Sequence, residues 1–119
     1  MSTTEHDEVP TLEAVQAAVR TTQGAVLVDV RSAAGRAASG AIPVAQLVDR
    51  HDLDAVFGPA HAPVISLEQP VVVVCGSEAG SAPVVRALRE RGYRDVSQIG
   101  GGFAAWRDAG LPTTQPGPA

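Results

Sequence analysis

Four consecutive valines, Val71–Val74, lie between a proline and a cysteine, and this run constrains the fold more than any other feature of the sequence. A run of β-branched residues bounded by proline and by small turn residues predicts a strand. Because no polar residue alternates with the valines, both faces of that strand are predicted to be buried, as in a parallel sheet. Residues 25–30 form a second, largely apolar run that contains one aspartate and predicts a second buried strand.

Segments with helical spacing of apolar residues alternate with these runs. Thr11, Asp52 and Ser81 stand where N-caps are expected, because short oxygen-bearing side chains accept hydrogen bonds from the first helical amides. The predicted helices cover residues 12–20 and 33–39, one turn over 53–57, a segment from Ser81 to Gly92, and a last segment from 100 to 110. Weaker strands are predicted at residues 45–48 and 96–99. This alternation predicts an α/β fold with a central parallel β-sheet flanked by helices on both faces.

The 119 residues of the chain fit a single domain. We expect that domain over residues 9–112, after a disordered N-terminal lead at 1–8 and before a flexible Pro/Gly-rich tail at 113–119. No apolar run approaches the ~20 residues that span a bilayer, and the first residues lack the features of a leader. We therefore expect no membrane association and a cytoplasmic location, where a lone thiol stays reduced.

Charge and residue counts exclude several classes of function. The net charge is −4 and the arginines are scattered, so the chain lacks the basic patch of a nucleic-acid-binding protein. A single cysteine excludes an intrachain disulfide. His6, His51 and His61 are too dispersed for a metal site, and the glycines at 100–102 are not framed as a nucleotide-binding loop. We therefore expect no metal and no cofactor.

Cys75 directly follows the valine run and is the strongest candidate for a reactive centre. Ligands of open parallel sheets bind beyond the carboxyl ends of the strands. A small-residue loop followed by a helix would turn backbone amides toward the sulfur, which favours the nucleophilic thiolate. The residues that would supply these amides are Gly76, Ser77, Glu78, Ala79, Gly80 and Ser81. The alternative interpretation is an inert, packed cysteine that only ends a buried strand.

Four segments in order resemble the signature of the single-domain rhodanese family. They are residues 27–31 (LVDVR), 40–45 (GAIPVA), the strand and loop of 71–81, and residues 101–112 with GGFAAW and GLP. The resemblance implies a rhodanese-like domain and a sulfurtransferase that carries sulfane sulfur as a persulfide on Cys75. It also implies a small sulfur donor (thiosulfate, polysulfide or a protein persulfide) and a thiol acceptor.

The loop departs from the family pattern at two positions that affect charge. Gly80 stands where the family usually has arginine, and Glu78 stands where it usually has glycine. Thiosulfate turnover is therefore predicted to be weak, and Gly80→Arg or Glu78→Gly is predicted to improve it. The same departures favour an alternative function, a non-catalytic rhodanese-like module that binds a partner or senses a ligand. Phosphatase chemistry is excluded, because related phosphatases need one more loop residue and an arginine.

Other polar residues are candidates for a supporting role. Asp29 and Arg31, at the carboxyl end of a predicted strand, would support the loop, and a purely structural ion pair is an equally good interpretation. His51 or His61 could fold over Cys75 as a base, although histidines in loops are more often simply solvated.

Overall fold

The computed structural model describes residues 8–116. Within them the strands are β1 (Thr11–Leu12), β2 (Val26–Asp29), β3 (Gln46–Leu47), β4 (Val71–Val74) and β5 (Val96–Ile99). The helices are α1 (Ala14–Thr22), α2 (Ala33–Ser39), α3 (Asp54–Phe57), α4 (Glu78–Glu90) and α5 (Gly102–Asp108). The first seven residues of the predicted lead, which include His6, and the last three of the predicted tail lie outside the described residues.

The five strands form one parallel sheet in the order β1-β5-β4-β2-β3. At its centre β2 and β4 pair in a register that sets Asp29 beside Val74. Val71 and Val73 of β4 pack into one core cluster, and Val72 and Val74 pack into another. Both faces of β4 are therefore buried, as its unbroken valine run predicts.

Helices cover both faces of this sheet. On one face α3 and α4 contribute Phe57, Val84, Val85 and Leu88 to the core. On the other face α1 and α5 contribute Ala14, Ala17, Phe103 and Trp106. Burial of one large apolar side chain contributes about 1.5–3 kcal/mol, so these contacts do more than helix propensity to hold such short helices. The predicted α/β fold with helices on both faces is confirmed. No helix within residues 8–116 has the length and apolar character needed to cross a membrane.

Tyr93 belongs to the core cluster that contains Val71 and Val73. Its ring meets Phe57 edge-on with centroids 5.5 Å apart, and its hydroxyl donates to the Ile65 carbonyl at 2.6 Å. Burial raises the pKa of Tyr93 above its usual value, although the nearby Arg91 charge acts in the opposite direction. The phenol therefore stays protonated and anchors the segment before β4.

The first helix begins later than the sequence predicts. Thr11–Leu12 form the edge strand β1, paired with β5, and α1 begins at Ala14. The amide of Glu13 donates to Gln16 Oε1 at 3.0 Å at the start of this helix. The prediction of Thr11 as an N-cap is therefore wrong. The sequence does not reveal this strand, because two residues are too few to show a periodic pattern and only the pairing with β5 defines it.

The helix after the cysteine begins about one turn earlier than predicted. α4 begins at Glu78, and Ser81 lies buried inside it with its hydroxyl donating to Gln98 Oε1 at 2.6 Å. Ser81 is therefore not an N-cap, because its hydroxyl finds a partner across the fold on β5. Asp52 is not the N-cap of α3 either, since Leu53 occupies that position.

The segment after α5 returns to the loop that precedes β3. The Thr114 amide donates to the Ala41 carbonyl at 2.7 Å, and the Ala41 amide donates to Thr114 Oγ1 at 2.9 Å. The part of the predicted tail that is described is thus bonded to the domain. The domain bounds of 9–112 and the flexibility of the tail stay predictions.

Two buried serines give a matched test of these contacts. Ser81→Ala would leave the buried Gln98 Oε1 without its donor and is expected to destabilise the protein by about 1–3 kcal/mol. The hydroxyl of Ser97, also buried, has no hydrogen-bond partner within residues 8–116, so Ser97→Ala leaves no group without its partner and is expected to be neutral or stabilising. Urea unfolding of both variants measures the difference, and equal losses would contradict it.

Candidate active site

A cleft of about 880 Å³ opens at the carboxyl ends of β2 and β4. From β2 the chain moves to β3 on one side, and from β4 it moves to β5 on the other. Such a reversal of strand order leaves a crevice between the two connections, where α/β sheets bind ligands. Cys75, directly after β4, lines this cleft together with Val30 and Arg31, which directly follow β2. Cys75 is partly exposed and also packs against the core cluster that contains Val71 and Val73.

The start of α5 holds the backbone of Cys75 in place. The Phe103 amide donates to the Cys75 carbonyl at 2.8 Å. Gly102 has a φ of 64°, and a Cβ there would lie 2.6 Å from the Cys75 carbonyl oxygen and 2.8 Å from that of Gly76. Only glycine combines this conformation with so close an approach. The glycines that resemble a family signature in the sequence thus position the cysteine loop.

The six backbone amides predicted to surround the sulfur divide into two groups. Those of Gly80 and Ser81 donate to the Ser77 carbonyl, at 3.1 and 3.3 Å, as the first bonds of α4. These two amides are thus engaged within the helix, which begins earlier than the sequence predicts, and their role toward the sulfur stays a prediction. The amides of Glu78 and Ala79 lie in the first turn, where N–H groups have no acceptor within the helix. A role for the amides from Gly76 to Ala79 stays a prediction.

Arg50 supplies a positive charge beside the thiol that the sequence analysis did not anticipate. A Cβ built on Gly80 would lie under 3.0 Å from Cys75 Sγ and 3.7 Å from Arg50 Nη1. The sulfur and the guanidinium therefore flank the same point, on the side of the loop where the family usually carries its arginine. Arg50 lies two residues beyond Val48, in the segment after β3, and also lines the cleft.

Glu78 does not line the cleft. Its carboxylate accepts a hydrogen bond from the Gly101 amide at 3.0 Å, at the N-terminus of α5. A carboxylate is favourable there, because the first amides of a helix carry partial positive charge. The expectation that Glu78 repels an anionic donor stays a prediction. Its contact links the first turns of α4 and α5, the two helices around Cys75.

Asp29 and Arg31 form a buried ion pair behind the cleft. The Asp29 carboxylate, 0% exposed, accepts from Arg31 Nη2 at 2.7 Å and from Arg31 Nε at 3.1 Å. Arg31 Nη2 also donates to the Gly40 carbonyl at 2.9 Å, and the guanidinium lies 3.9 Å from the centre of the Phe103 ring. The Phe103 amide binds the Cys75 carbonyl, so the pair contacts the residue that holds the cysteine loop.

The remaining charged side chains give the cleft a positive balance. Arg36 and Arg107 line it in addition to Arg31 and Arg50, whereas Asp49 is the one carboxylate among the described lining residues. The Asp49 carboxylate accepts from the His51 backbone amide at 2.8 Å. Because Arg31 pairs with Asp29 and Arg107 with Asp108, the positive charge of the lining comes mainly from Arg36 and Arg50.

The two histidines considered as bases differ in their position relative to the cleft. His51 lines the cleft and His61 does not. No hydrogen bond joins the His51 ring to Cys75 in the part of the chain that is described. Within the same residues no group of three or more histidine, cysteine, aspartate or glutamate side chains comes together as a metal site requires.

These features describe an open parallel α/β domain that presents a cysteine at the end of a central strand, within a cationic cleft. The chain belongs to the rhodanese-like domain family, whose sequence profile matches residues 11–109. It is 38% identical over 85 residues to the thiosulfate sulfurtransferase GlpE of Pseudomonas savastanoi pv. phaseolicola, covering 71% of this chain and 74% of that protein. It is 34% identical over 95 residues to a sulfurtransferase of Allochromatium vinosum, covering 80% and 83% of the two chains.

A solved structure shows the same fold. The homodimeric polysulfide-sulfur transferase of Wolinella succinogenes superposes with a TM-score of 0.72 at 27% identity, covering 91% of this chain and 79% of that chain. The relatives named here are all sulfurtransferases, and the resemblance to rhodaneses expected from the sequence is confirmed.

Proposed function

We propose that the protein is a sulfurtransferase that carries sulfane sulfur as a persulfide on Cys75 and passes it to a thiol acceptor. The observation that carries the proposal is the position of the thiol, accessible at the carboxyl end of a central strand and lining a cleft with four arginines. The names of the relatives support the same chemistry. A cytoplasmic location is part of this proposal, since the thiol must stay reduced between turnovers.

The reaction divides into two displacements on sulfur. The Cys75 thiolate attacks the outer, sulfane sulfur of a donor such as thiosulfate. A new S–S bond forms, the bond within the donor breaks, and sulfite leaves with the electron pair. An acceptor thiolate then attacks the outer sulfur of the cysteine persulfide and leaves with it, which regenerates the Cys75 thiolate. Positive charge around the cleft stabilises the anionic donor and leaving group.

The alternative function is a non-catalytic binding or regulatory module, which the missing arginine and the added Glu78 of the cysteine loop favour. Two contacts in the structure favour the sulfurtransferase instead. A guanidinium, that of Arg50, lies on the side of Gly80, and the Glu78 carboxylate binds the α5 N-terminus instead of facing the cleft. The choice between the two functions therefore rests on whether Cys75 accepts sulfur.

Intact-mass measurement tests the proposal directly. After incubation with thiosulfate, and separately with polysulfide, the wild-type protein is expected to gain one sulfur atom and to lose it again on addition of a small thiol. Cys75→Ser is the control, and because the chain has a single cysteine the gain can be assigned without digestion. A wild type that gains no sulfur from either donor would leave the non-catalytic module as the better description.

A further inference from the structure

We propose that Arg50 is the donor-binding cation of this site and holds the oxyanion group of a donor such as thiosulfate while the sulfane sulfur meets Cys75. The inference rests on the proposed function and deepens it, since it names the residue that binds the donor.

Arg50 lies within a short distance of the Cys75 thiol. Both Cys75 Sγ and Arg50 Nη1 lie close to the point where a Cβ at Gly80 would stand. The thiol and the guanidinium cannot be further apart than the sum of these two short distances. A donor whose sulfane sulfur reaches the thiolate would therefore bring the adjacent oxyanion within reach of Arg50.

Arg50 differs from the other arginines, since none of residues 8–116 accepts a hydrogen bond from its side chain. Arg31 binds Asp29, Arg36 binds the Arg31 carbonyl, and Arg107 binds Asp108. The arginines away from the cleft also have partners, namely Arg20, Arg86, Arg89, Arg91 and Arg94. Among the residues that the structure describes, no carboxylate or carbonyl accepts a hydrogen bond from Arg50. Its five donors are available to a ligand, and guanidinium geometry matches that of an oxyanion.

The carboxylates of Asp49 and Glu78 accept hydrogen bonds from backbone amides and not from Arg50. Asp49, the neighbour of Arg50, lines the cleft, and its carboxylate accepts from the His51 amide rather than from Arg50. Glu78 is bonded at the N-terminus of α5. As sulfite leaves, negative charge grows on the sulfonate oxygens, so a cation there stabilises the transition state as well as the bound donor.

Kinetics of three variants test the role of Arg50. Arg50→Ala is expected to lower kcat/KM for thiosulfate about ten- to a hundred-fold, the effect of one charge-assisted hydrogen bond. Arg50→Lys is expected to recover part of the loss, and the losses should shrink at high salt because Arg50 is exposed. Arg94→Ala is the matched control, since Arg94 is 78% exposed, pairs with Glu68 and does not line the cleft. Equal thiosulfate kinetics for wild type and Arg50→Ala would overturn the proposal.

Alkylation of Cys75 gives a second readout that does not depend on sulfur transfer. Iodoacetate and iodoacetamide react by the same displacement and differ in charge, so the ratio of their rate constants reports the cation beside the thiol. Arg50→Ala is expected to lower this ratio about three- to thirty-fold, and Arg94→Ala to leave it unchanged. An unchanged ratio in Arg50→Ala would overturn the proposal even if sulfur transfer is observed. A lowered ratio in a protein that accepts no sulfur would instead refute the proposed function and leave Arg50 as an anion-binding residue.

Discussion

Gly80→Ala is expected to lower the sulfur-transfer activity about a hundredfold. A Cβ at this position would lie under 3.0 Å from Cys75 Sγ and 3.2 Å from Cys75 Cβ, so either the thiol must rotate away or the first turn of α4 must shift. A displacement of about 1 Å at a reacting atom is enough for a loss of that size. Gly80→Arg has the same Cβ and is expected to fail in the same way, although the family pattern suggests it as a gain of function.

Gly35→Ala is the matched control for this effect. Gly35 and Gly80 are each the third residue of a helix, α2 and α4, and neither has a positive φ. A Cβ at Gly35 would make an ordinary contact at 3.4 Å with Ser32 Oγ. Gly35 also lines the cleft, but this contact is an ordinary one, so alanine there is expected to keep most of the activity. It is expected to raise stability by about 0.5–1 kcal/mol, because alanine is the better helix former. Measured kcat/KM and Tm of both variants separate the steric effect from the helical one. Full activity in Gly80→Ala would contradict the position assigned to the thiol.

The central strands and the parallel sheet follow from the sequence because their signal is local. Val71–Val74 and the run at residues 25–30 contain in themselves the information that both faces are buried. The starts of α1 and α4 do not, because they depend on partners far along the chain. Ser81 resembles an N-cap until its hydroxyl is paired with Gln98, and Thr11–Leu12 become a strand only beside β5.

The cysteine could be predicted from the sequence, but the cation beside it could not. A comparison with the family pattern matches residues by their position along the chain. Glycine at position 80, where the family usually has arginine, is therefore interpreted as the loss of the positive charge beside the thiol. The fold brings Arg50 to that side of the loop from a different connection, the one after β3. One signal was available in the sequence: Arg50 follows a predicted strand at 45–48, and the carboxyl ends of parallel strands meet at one edge.

Asp29→Asn is expected to cost about 3–5 kcal/mol of the free energy of unfolding, the largest loss of stability that we predict for a single substitution. Asp29 is 0% exposed, and its carboxylate accepts from the Arg31 side chain and from the Arg31 amide at 3.0 Å. Removing one member of a buried ion pair leaves the other charge desolvated and uncompensated. Asparagine has nearly the same shape as aspartate, so a loss measured with it reports charge rather than a cavity.

The exposed pair of Arg94 and Glu68 provides the comparison. These side chains are 78% and 71% exposed and lie 3.5 Å apart, so Glu68→Ala is expected to cost at most about 1 kcal/mol. Urea unfolding of both variants measures the difference in stability.

Sulfur transfer by Asp29→Asn, at a temperature where the variant is folded, then separates the two interpretations of the pair of Asp29 and Arg31, a support for the cysteine loop or a purely structural ion pair. If Arg31 supports the cysteine loop through Phe103, kcat should fall in the folded variant, because the ring and its amide lose their fixed neighbour. An unchanged kcat would make the pair purely structural, and a loss of stability no larger than that of Glu68→Ala would contradict its burial.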